Sequence, residues 1–251
     1  MTLIAFHLDA DGATHVGHVR QLNEDRFFID PEIGVFAVAD GMGGHAGGDR
    51  ASAAIVERLA TIGVATTAPD LRARVEDRLF AANRAILTMA EEAGATIGTT
   101  VVVVLFFSDR FACLWAGDSR LYRLRAGRLE QLTRDHSQIQ ELLDGGLISA
   151  EEAERWPERN VITRAVGVDP DLALDRISDV VSPGDVFLIC SDGLTAHVRD
   201  DQIGPLLSGS DAATATERLI AAALAGGGSD NVTVVVIRCL AANAGDEPSD
   251  G

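Results

Sequence analysis

Lysine is absent from this 251-residue chain, and all 21 of its basic side chains are arginine. That excludes a P-loop, a Schiff-base lysine and any phosphoryl transfer that depends on lysine. Cysteine is scarce. Cys113, Cys190 and Cys239 each lie in an apolar run with no C-x-x-C spacing, so they read as buried thiols of a reducing compartment rather than zinc ligands or disulfide partners. Long apolar runs are also missing: none approaches the ~20 residues that span a bilayer, and the N-terminus lacks the basic and apolar regions of a secretory signal. Positive charge is in deficit, with 38 acidic residues against 21 basic ones and a net charge of −17. Such a surface disfavours nucleic acid and repels small phosphorylated molecules unless bound cations reverse the field locally. These absences predict a soluble cytoplasmic protein, monomeric by default, with no nucleic-acid or membrane partner.

Apolar residues make up 47% of the chain, enough for one large core. A single domain is expected over residues 1–240, followed by a small acidic tail, 241–251, expected to be disordered. Strand-like runs fall at Leu3–Leu8, Arg26–Ile29, Gly34–Ala39, Thr99–Phe107, Phe111–Ala116, Leu121–Arg125, Ala173–Val180, Asp185–Cys190 and Val232–Cys239. Short links such as Ser108-Asp109-Arg110 and Gly117-Asp118-Ser119 imply antiparallel hairpins. Helices are predicted from about Gly48 to Ile62, from Pro69-Asp70 through Met89, and over Ala212–Leu224. The second carries Leu71, Val75, Leu79, Ala82, Ile86 and Met89 as a single stripe. Helices with one apolar side, grouped apart from the strands, indicate an α+β fold in which helices pack on antiparallel sheets. The charged segment Gln138–Gly167 reads as a small helical insertion beside the core, placed to touch a substrate.

Four acidic blocks stand at strand ends: Asn23-Glu24-Asp25, Asp40-Gly41-Met42-Gly43-Gly44, Ser191-Asp192-Gly193 and Ser229-Asp230-Asn231. One Asp-Gly is a turn, but four such blocks in matching strand context build an oxygen-only cage suited to Mg²⁺ or Mn²⁺. Asp40 is the candidate bridge between two ions, with the Gly41 carbonyl as a further ligand. Asp192 and Asp230 complete one shell, and Glu24 or Asp25 serves the other. Arg20, just upstream, can grip two phosphate oxygens; the competing reading, an ion pair with Glu24, needs a helix that this segment does not form. Water held between two ions becomes a nucleophile near neutral pH, so the set implies direct hydrolysis of a phosphate ester with no covalent phosphoenzyme.

Two rival phosphatase motifs fail. Asp9-Ala10-Asp11-Gly12 is similar to the nucleophile loop of haloacid-dehalogenase-type phosphatases, but the required lysine does not exist, and the segment reads as a polar turn before Val16–Arg20. No cysteine is followed by five residues and then arginine, which excludes a tyrosine-phosphatase loop. Among the histidines, His45 beside the Asp40 block is the candidate acid for the leaving oxygen. His18 reads as alternating along a strand, and His136 and His197 have no assigned role.

In this order the blocks resemble the type 2C (PPM) metal-dependent Ser/Thr protein phosphatases in their compact bacterial form. The resemblance runs from about Asp9 to Arg238. It includes Gly98-Thr99-Thr100, Ala116-Gly117-Asp118-Ser119-Arg120, Thr133-Arg134-Asp135-His136-Ser137 and Thr163-Arg164-Ala165-Val166-Gly167. It implies an αββα sandwich, two antiparallel sheets flanked by helix pairs, with two core Mn²⁺ or Mg²⁺ ions at one edge. It supports Asp40, Gly41, Asp192 and Asp230 as ligands and Arg20 as the phosphate grip. It adds Asp118 as ligand to a third, weaker ion and identifies 138–167 as the family's flap. Met42 stands where eukaryotic members place their proposed acid histidine. The expected activity is hydrolysis of phosphoserine and phosphothreonine on proteins, opposing a bacterial Hanks-type kinase. The alternatives are a dedicated phosphatase of a partner-switching circuit and a phosphoprotein-binding pseudophosphatase; the latter predicts missing ligands, and every expected ligand position is filled.

Overall fold

The run Val101–Phe107 is apolar at every position because both its faces are covered, and the layers of the molecule follow from that. The structure, a computed structural model, describes residues 5–43, 47–154, 156 and 161–241. One sheet joins β1 (Phe6–His15), β11 (Val232–Ala241), β10 (Val186–Cys190), β7 (Arg120–Arg125) and β8 (Arg128–Gln131) in that spatial order. The other joins β2 (Asp25–Asp30), β3 (Val35–Gly43), β5 (Val101–Phe107), β6 (Arg110–Ala116) and β9 (Asp175–Val180), with β4 (Ile97–Thr99) paired to the end of β3. All of these pairings are antiparallel.

Alternation along each strand divides the core into three slabs. Val102, Val104 and Phe106 of β5 face the first sheet, meeting Phe187 and Ile189 of β10 and Val235 and Ile237 of β11. Phe187 packs edge-on against Phe106 at 5.3 Å and Phe111 at 4.8 Å, contacts worth ~0.5–1.5 kcal/mol each beyond area burial. Val101, Val103 and Leu105 face the other way, onto α1 (Gly47–Leu59) and α2 (Ala68–Ala93). The outer face of the first sheet is covered by α5 (Asp192–Thr195), α6 (Asp200–Leu207) and α7 (Ala212–Ala225). The result is the expected αββα sandwich of an α+β protein.

Local chemistry explains the main helix. Thr67 Oγ1 accepts the Asp70 amide as N-cap, a proline follows in the first turn, and Gly94 ends the helix in the left-handed region at φ 61°, as capping rules require. The stripe Leu71, Val75, Leu79, Ala82 and Ile86 is buried. The first predicted helix ends earlier than expected, at Leu59, although Ile62 still packs in the core.

Several expectations need correction. Asp9–Gly12 is not a turn: β1 runs unbroken through it, because each residue from Phe6 to His15 has a partner on β11. The Asp9 carboxylate instead accepts the Ala212 amide at the start of α7 at 3.0 Å. Val16–Arg20, with His18, is loop rather than strand. Gly117–Ser119 is not a hairpin turn, since β6 and β7 belong to different sheets and this link crosses between them. Strand β8 and helix α6 were not anticipated; both are short, β8 is mostly polar, and Ile203 and Leu207 of α6 are buried among residues far off in sequence. The insertion contains α3 (Gln138–Asp144) and α4 (Ala150–Glu154), while 155 and 157–160 lie outside the described residues, as does the tail from 242. The three cysteines are buried and unpaired.

Candidate metal centre

Five elements bring their ends to one edge of the sandwich. Asp40 lies near the end of β3, where its amide donates to Thr100 Oγ1 at 3.1 Å and its carbonyl accepts Thr99 Oγ1 at 3.0 Å and the Thr100 amide at 2.8 Å. Asp25 faces Asp40 across the β2–β3 ladder. The Glu24 carbonyl accepts the Gly41 amide at 3.2 Å and the Ser52 hydroxyl at 2.5 Å, tying β2, β3 and α1 together. The sheet-to-sheet crossing supplies Asp118, the start of α5 supplies Asp192, and the loop before β11 supplies Asp230. Arg20, Glu24, Asp40, Gly41, Met42, Thr100, Asp118, Asp192, Asp230 and Asn231 line one open cavity of about 450 Å³, and Asp25 sits behind that wall, fully buried.

The electrostatics are those of carboxylates crowded out of water. Burial and then the neighbouring carboxylates of Asp25, Asp192, Asp118 and Asp230 push Asp40 well above the usual carboxylate range. Burial raises Asp25 to about 6 and Asp118 to about 7, and it raises Asp192 as well. Asp40 feels the charge of all four neighbours, so it is the electrostatic hub. Glu24 Oε1 and Asp25 Oδ1 are buried without a partner, which is costly unless something positive meets them. Among the described residues no three such side chains are drawn into a closed ligand group. A closed group is not what a hard ion requires: Mg²⁺ keeps several waters and takes only one or two carboxylates. Orphaned oxygens, raised carboxyl pKa values and an all-oxygen donor set fit Mn²⁺ or Mg²⁺.

These shifts have a measurable sign. A carboxyl whose folded pKa exceeds its unfolded value holds its proton more tightly in the folded state. Its stabilising contribution is complete below about pH 4 and is lost as pH rises through the folded value. With Asp25 at about 6 and Asp118 at about 7, the metal-free protein is expected to lose stability between about pH 4 and 7, its Tm falling by roughly 5–10 °C. Melting curves in chelator check this, and Mn²⁺ should restore most of the loss at the upper end. A Tm that stays level or rises across that range in chelator contradicts the electrostatic account.

Arg20 meets Asp230 rather than Glu24, at 2.8 Å, with about half of its side chain exposed at the cavity rim. Asp192 lies on the wall shared with a second cavity of about 230 Å³, lined on its far side by Ile139, Gln140 and Leu143 of α3. The root of the insertion is fixed there. Trp115 Nε1 donates to the Arg134 carbonyl at 2.9 Å, the His136 ring stacks on Trp115, and the Gly117 amide donates to His136 Nδ1 at 3.1 Å. His45, the expected acid, lies outside the described residues.

The sequence reading missed the residues that hold these carboxylates in place. Asn231 donates to the Val16 and Leu22 carbonyls at 3.0 and 2.9 Å and accepts the Glu24 amide at 2.8 Å. Ser191 donates to Asp25 Oδ2 at 2.8 Å and accepts the Thr233 amide at 3.0 Å. Both stood inside the quoted blocks; the only available signal was a polar side chain flanked by strand residues.

Comparison with known proteins agrees with this geometry. The family profile described as Protein phosphatase 2C matches residues 12–231. A curated relative from Mycobacterium tuberculosis, the serine/threonine protein phosphatase PstP, is 40% identical over 225 residues, which is 88% of this chain and 43% of that protein; the chain thus spans less than half of that relative's length. Among solved structures, PppA of Pseudomonas aeruginosa superposes with a TM-score of 0.87 at 40% identity, covering 94% of this chain and 99% of that one. The catalytic domain of PstP in complex with two manganese ions superposes at 0.85 with 37% identity, covering 93% of this chain and 98% of that one.

Proposed function

The chain belongs to the protein phosphatase 2C family, and from that premise we propose that it hydrolyses phosphoserine and phosphothreonine on proteins with the help of Mn²⁺ or Mg²⁺. One observation carries the reading: Glu24, Asp40, Asp118, Asp192 and Asp230 converge on one cavity, with Asp25 behind them and an arginine at the rim. In the proposal Asp40, with the Gly41 carbonyl, would serve both core ions; Asp192 and Asp230 would help hold one of them, Glu24 or Asp25 the other, and Asp118 a third, weaker ion. When bound, such ions supply positive charge for the phosphoryl oxygens and lower the pKa of water.

The chain's own residues do the rest. Arg20 exchanges its contact with Asp230 for two phosphate oxygens and fixes the orientation of the ester. The sheet ends hold the carboxylates with little freedom, so orientation is set before substrate arrives. Met42, on the cavity wall, cannot donate a proton; His45 or solvent supplies the leaving oxygen with one. Residues 138–167 form the flap that borders the second cavity, and 1–240 is one catalytic domain. The natural substrates are phosphorylated proteins, among them a Ser/Thr kinase and its targets. The place of action is the cytoplasm, in keeping with free buried thiols, and the state is monomeric.

The test is hydrolysis of a phosphothreonine peptide by purified protein in Mn²⁺ and in chelator. Turnover is expected with Mn²⁺, with a loss of at least ~10³-fold in chelator, because Lewis-acid stabilisation is worth several kcal/mol and each ~1.4 kcal/mol is tenfold in rate. Turnover that survives exhaustive chelation would sink the proposal.

A further inference from the structure

His197 has no place in the cage described above, yet it joins two of the segments that build it. It lies at the end of the helical turn that begins with Asp192: the Ala196 amide bonds the Asp192 carbonyl at 2.8 Å, and the His197 amide bonds the Leu194 carbonyl at 3.1 Å. From there its ring reaches 32 residues along the chain to the loop that carries Asp230. The Ser229 amide donates to His197 Nε2 at 3.0 Å, and Ser229 Oγ lies 2.9 Å from the same nitrogen.

The chemistry of that contact fixes the state of the ring. An amide can only donate, so Nε2 must present its lone pair, and the imidazole is neutral with its proton on Nδ1.

The chain is also shaped to seat this ring. A Cβ on Gly226 would stand 2.9 Å from His197 Cβ and 3.0 Å from its carbonyl oxygen. A Cβ on Gly227, which has φ 136°, would stand 3.1 Å from His197 Cε1. Two consecutive glycines are therefore required where α7 ends and the chain passes over the imidazole. Beyond them the loop is held on its other side by the first loop of the protein, where the His18 amide donates to the Gly228 carbonyl at 2.7 Å. Asp230 comes right after Ser229, receives Arg20 at 2.8 Å and accepts the Asn231 amide at 2.8 Å.

We propose that His197 is a positioning residue for Asp230: its neutral imidazole ties the Ser229 amide to the turn that starts at Asp192, and so sets how far apart the two carboxylates stand. This rests on the reading of Asp192 and Asp230 as ligands of one ion. Groups that orient metal ligands from behind are worth about 10–100-fold in metal affinity. His197 acts on the ion only through Ser229 and Asp230 and touches neither substrate nor metal.

Three substitutions separate the hydrogen bond from the packing. His197→Phe keeps a ring over Gly226 and Gly227 and loses the acceptor. His197→Gln places a carbonyl oxygen near the position of Nε2, and His197→Ala removes both. Titration of Mn²⁺ into each protein by calorimetry, with Tm in chelator, reads the effect directly. His197→Phe and His197→Ala are expected to bind Mn²⁺ at least ~10-fold more weakly than wild type, with His197→Gln restored to within a few-fold. Activity on p-nitrophenyl phosphate should fall at limiting Mn²⁺ and recover as Mn²⁺ saturates.

Wild-type affinity in His197→Phe would reduce His197 to a space-filler and overturn the inference while leaving the proposed function intact. Equal weakness in all three variants would show that a restored acceptor does not restore the site, and would overturn it as well. A wild type that takes up no Mn²⁺ would remove the metal site itself, and the inference with it. Should His197→Ala fail to fold, the Phe and Gln pair still decides the matter.

Discussion

Asp40→Asn is expected to yield a protein that is more stable than wild type without metal and nearly inactive with it. Asparagine has the shape of aspartate and can keep the local backbone geometry, in which the Asp40 amide and carbonyl bond Thr99 and Thr100. What changes is charge. The Asp40 carboxyl is pushed well above its ordinary range by burial and by four neighbouring carboxylates. Near pH 8 the metal-free protein must therefore either hold a proton there or keep a repelled charge, and both cost folding free energy. A neutral amide avoids both, so Tm in chelator at pH 8 should rise by several degrees. The same substitution removes the carboxylate proposed to serve both ions and puts a neutral oxygen in its stead. Since Lewis-acid stabilisation amounts to several kcal/mol and ~1.4 kcal/mol is tenfold in rate, phosphopeptide hydrolysis in saturating Mn²⁺ should fall by ~10³-fold or more. Melting curves and initial rates on one preparation suffice. A variant that melts lower than wild type in chelator and keeps substantial activity would contradict the assignment of Asp40 as the hub.

The opposite signs of those two effects explain why some of this molecule was legible in the sequence and some was not. Periodicity is local: the α2 stripe from Leu71 to Ile86 and the unbroken apolar run Val101–Phe107 report their burial directly, and the layered fold follows from them. The acidic blocks were legible for a related reason. A carboxylate beside glycine at a strand end is unfavourable for folding alone, and several such places in one chain point to a shared purpose. What stayed hidden depends on pairing between distant segments. Asp9–Gly12 has the composition of a turn, and only its ten-residue register with β11 makes it strand. Gly117-Asp118-Ser119 has the length of a hairpin turn, and only the assignment of β6 and β7 to different sheets makes it a crossing. Asn231, Ser191 and His197 carry no periodic signal, because each acts through one to three backbone groups of a segment distant in the chain. Composition near a site finds ligands; the residues that hold them emerge only from the tertiary structure.

Gly193→Ala tests that holding frame without altering any charged or hydrogen-bonding side chain. Gly193 follows Asp192 in the first turn of α5, and a Cβ there would stand 1.9 Å from the Asn231 carbonyl oxygen and 2.9 Å from its carbon. Both are backbone atoms, so no rotamer change relieves the contact; the Asp192 turn and the Asp230 loop lie back to back with room only for hydrogen. The Ser191 amide bonded to the Thr233 carbonyl at 3.0 Å fastens the same two segments one step away. A methyl group must therefore separate them by about an ångström or break that bond, and overpacking of this kind costs ~1–3 kcal/mol. Displacing a catalytic group by ~1 Å can cost 10²-fold in rate. Here two carboxylates move at once, so kcat/KM should fall by more than ~10²-fold and Mn²⁺ affinity should drop with it. Gly94→Ala supplies the contrast, since Gly94 has φ 61° but nothing within 4 Å of its missing Cβ. It should cost ~1 kcal/mol of stability from backbone strain alone and leave turnover and Mn²⁺ affinity unchanged. If Gly193→Ala lost no more activity than Gly94→Ala, the close approach of the two loops would not be what sets the spacing of Asp192 and Asp230.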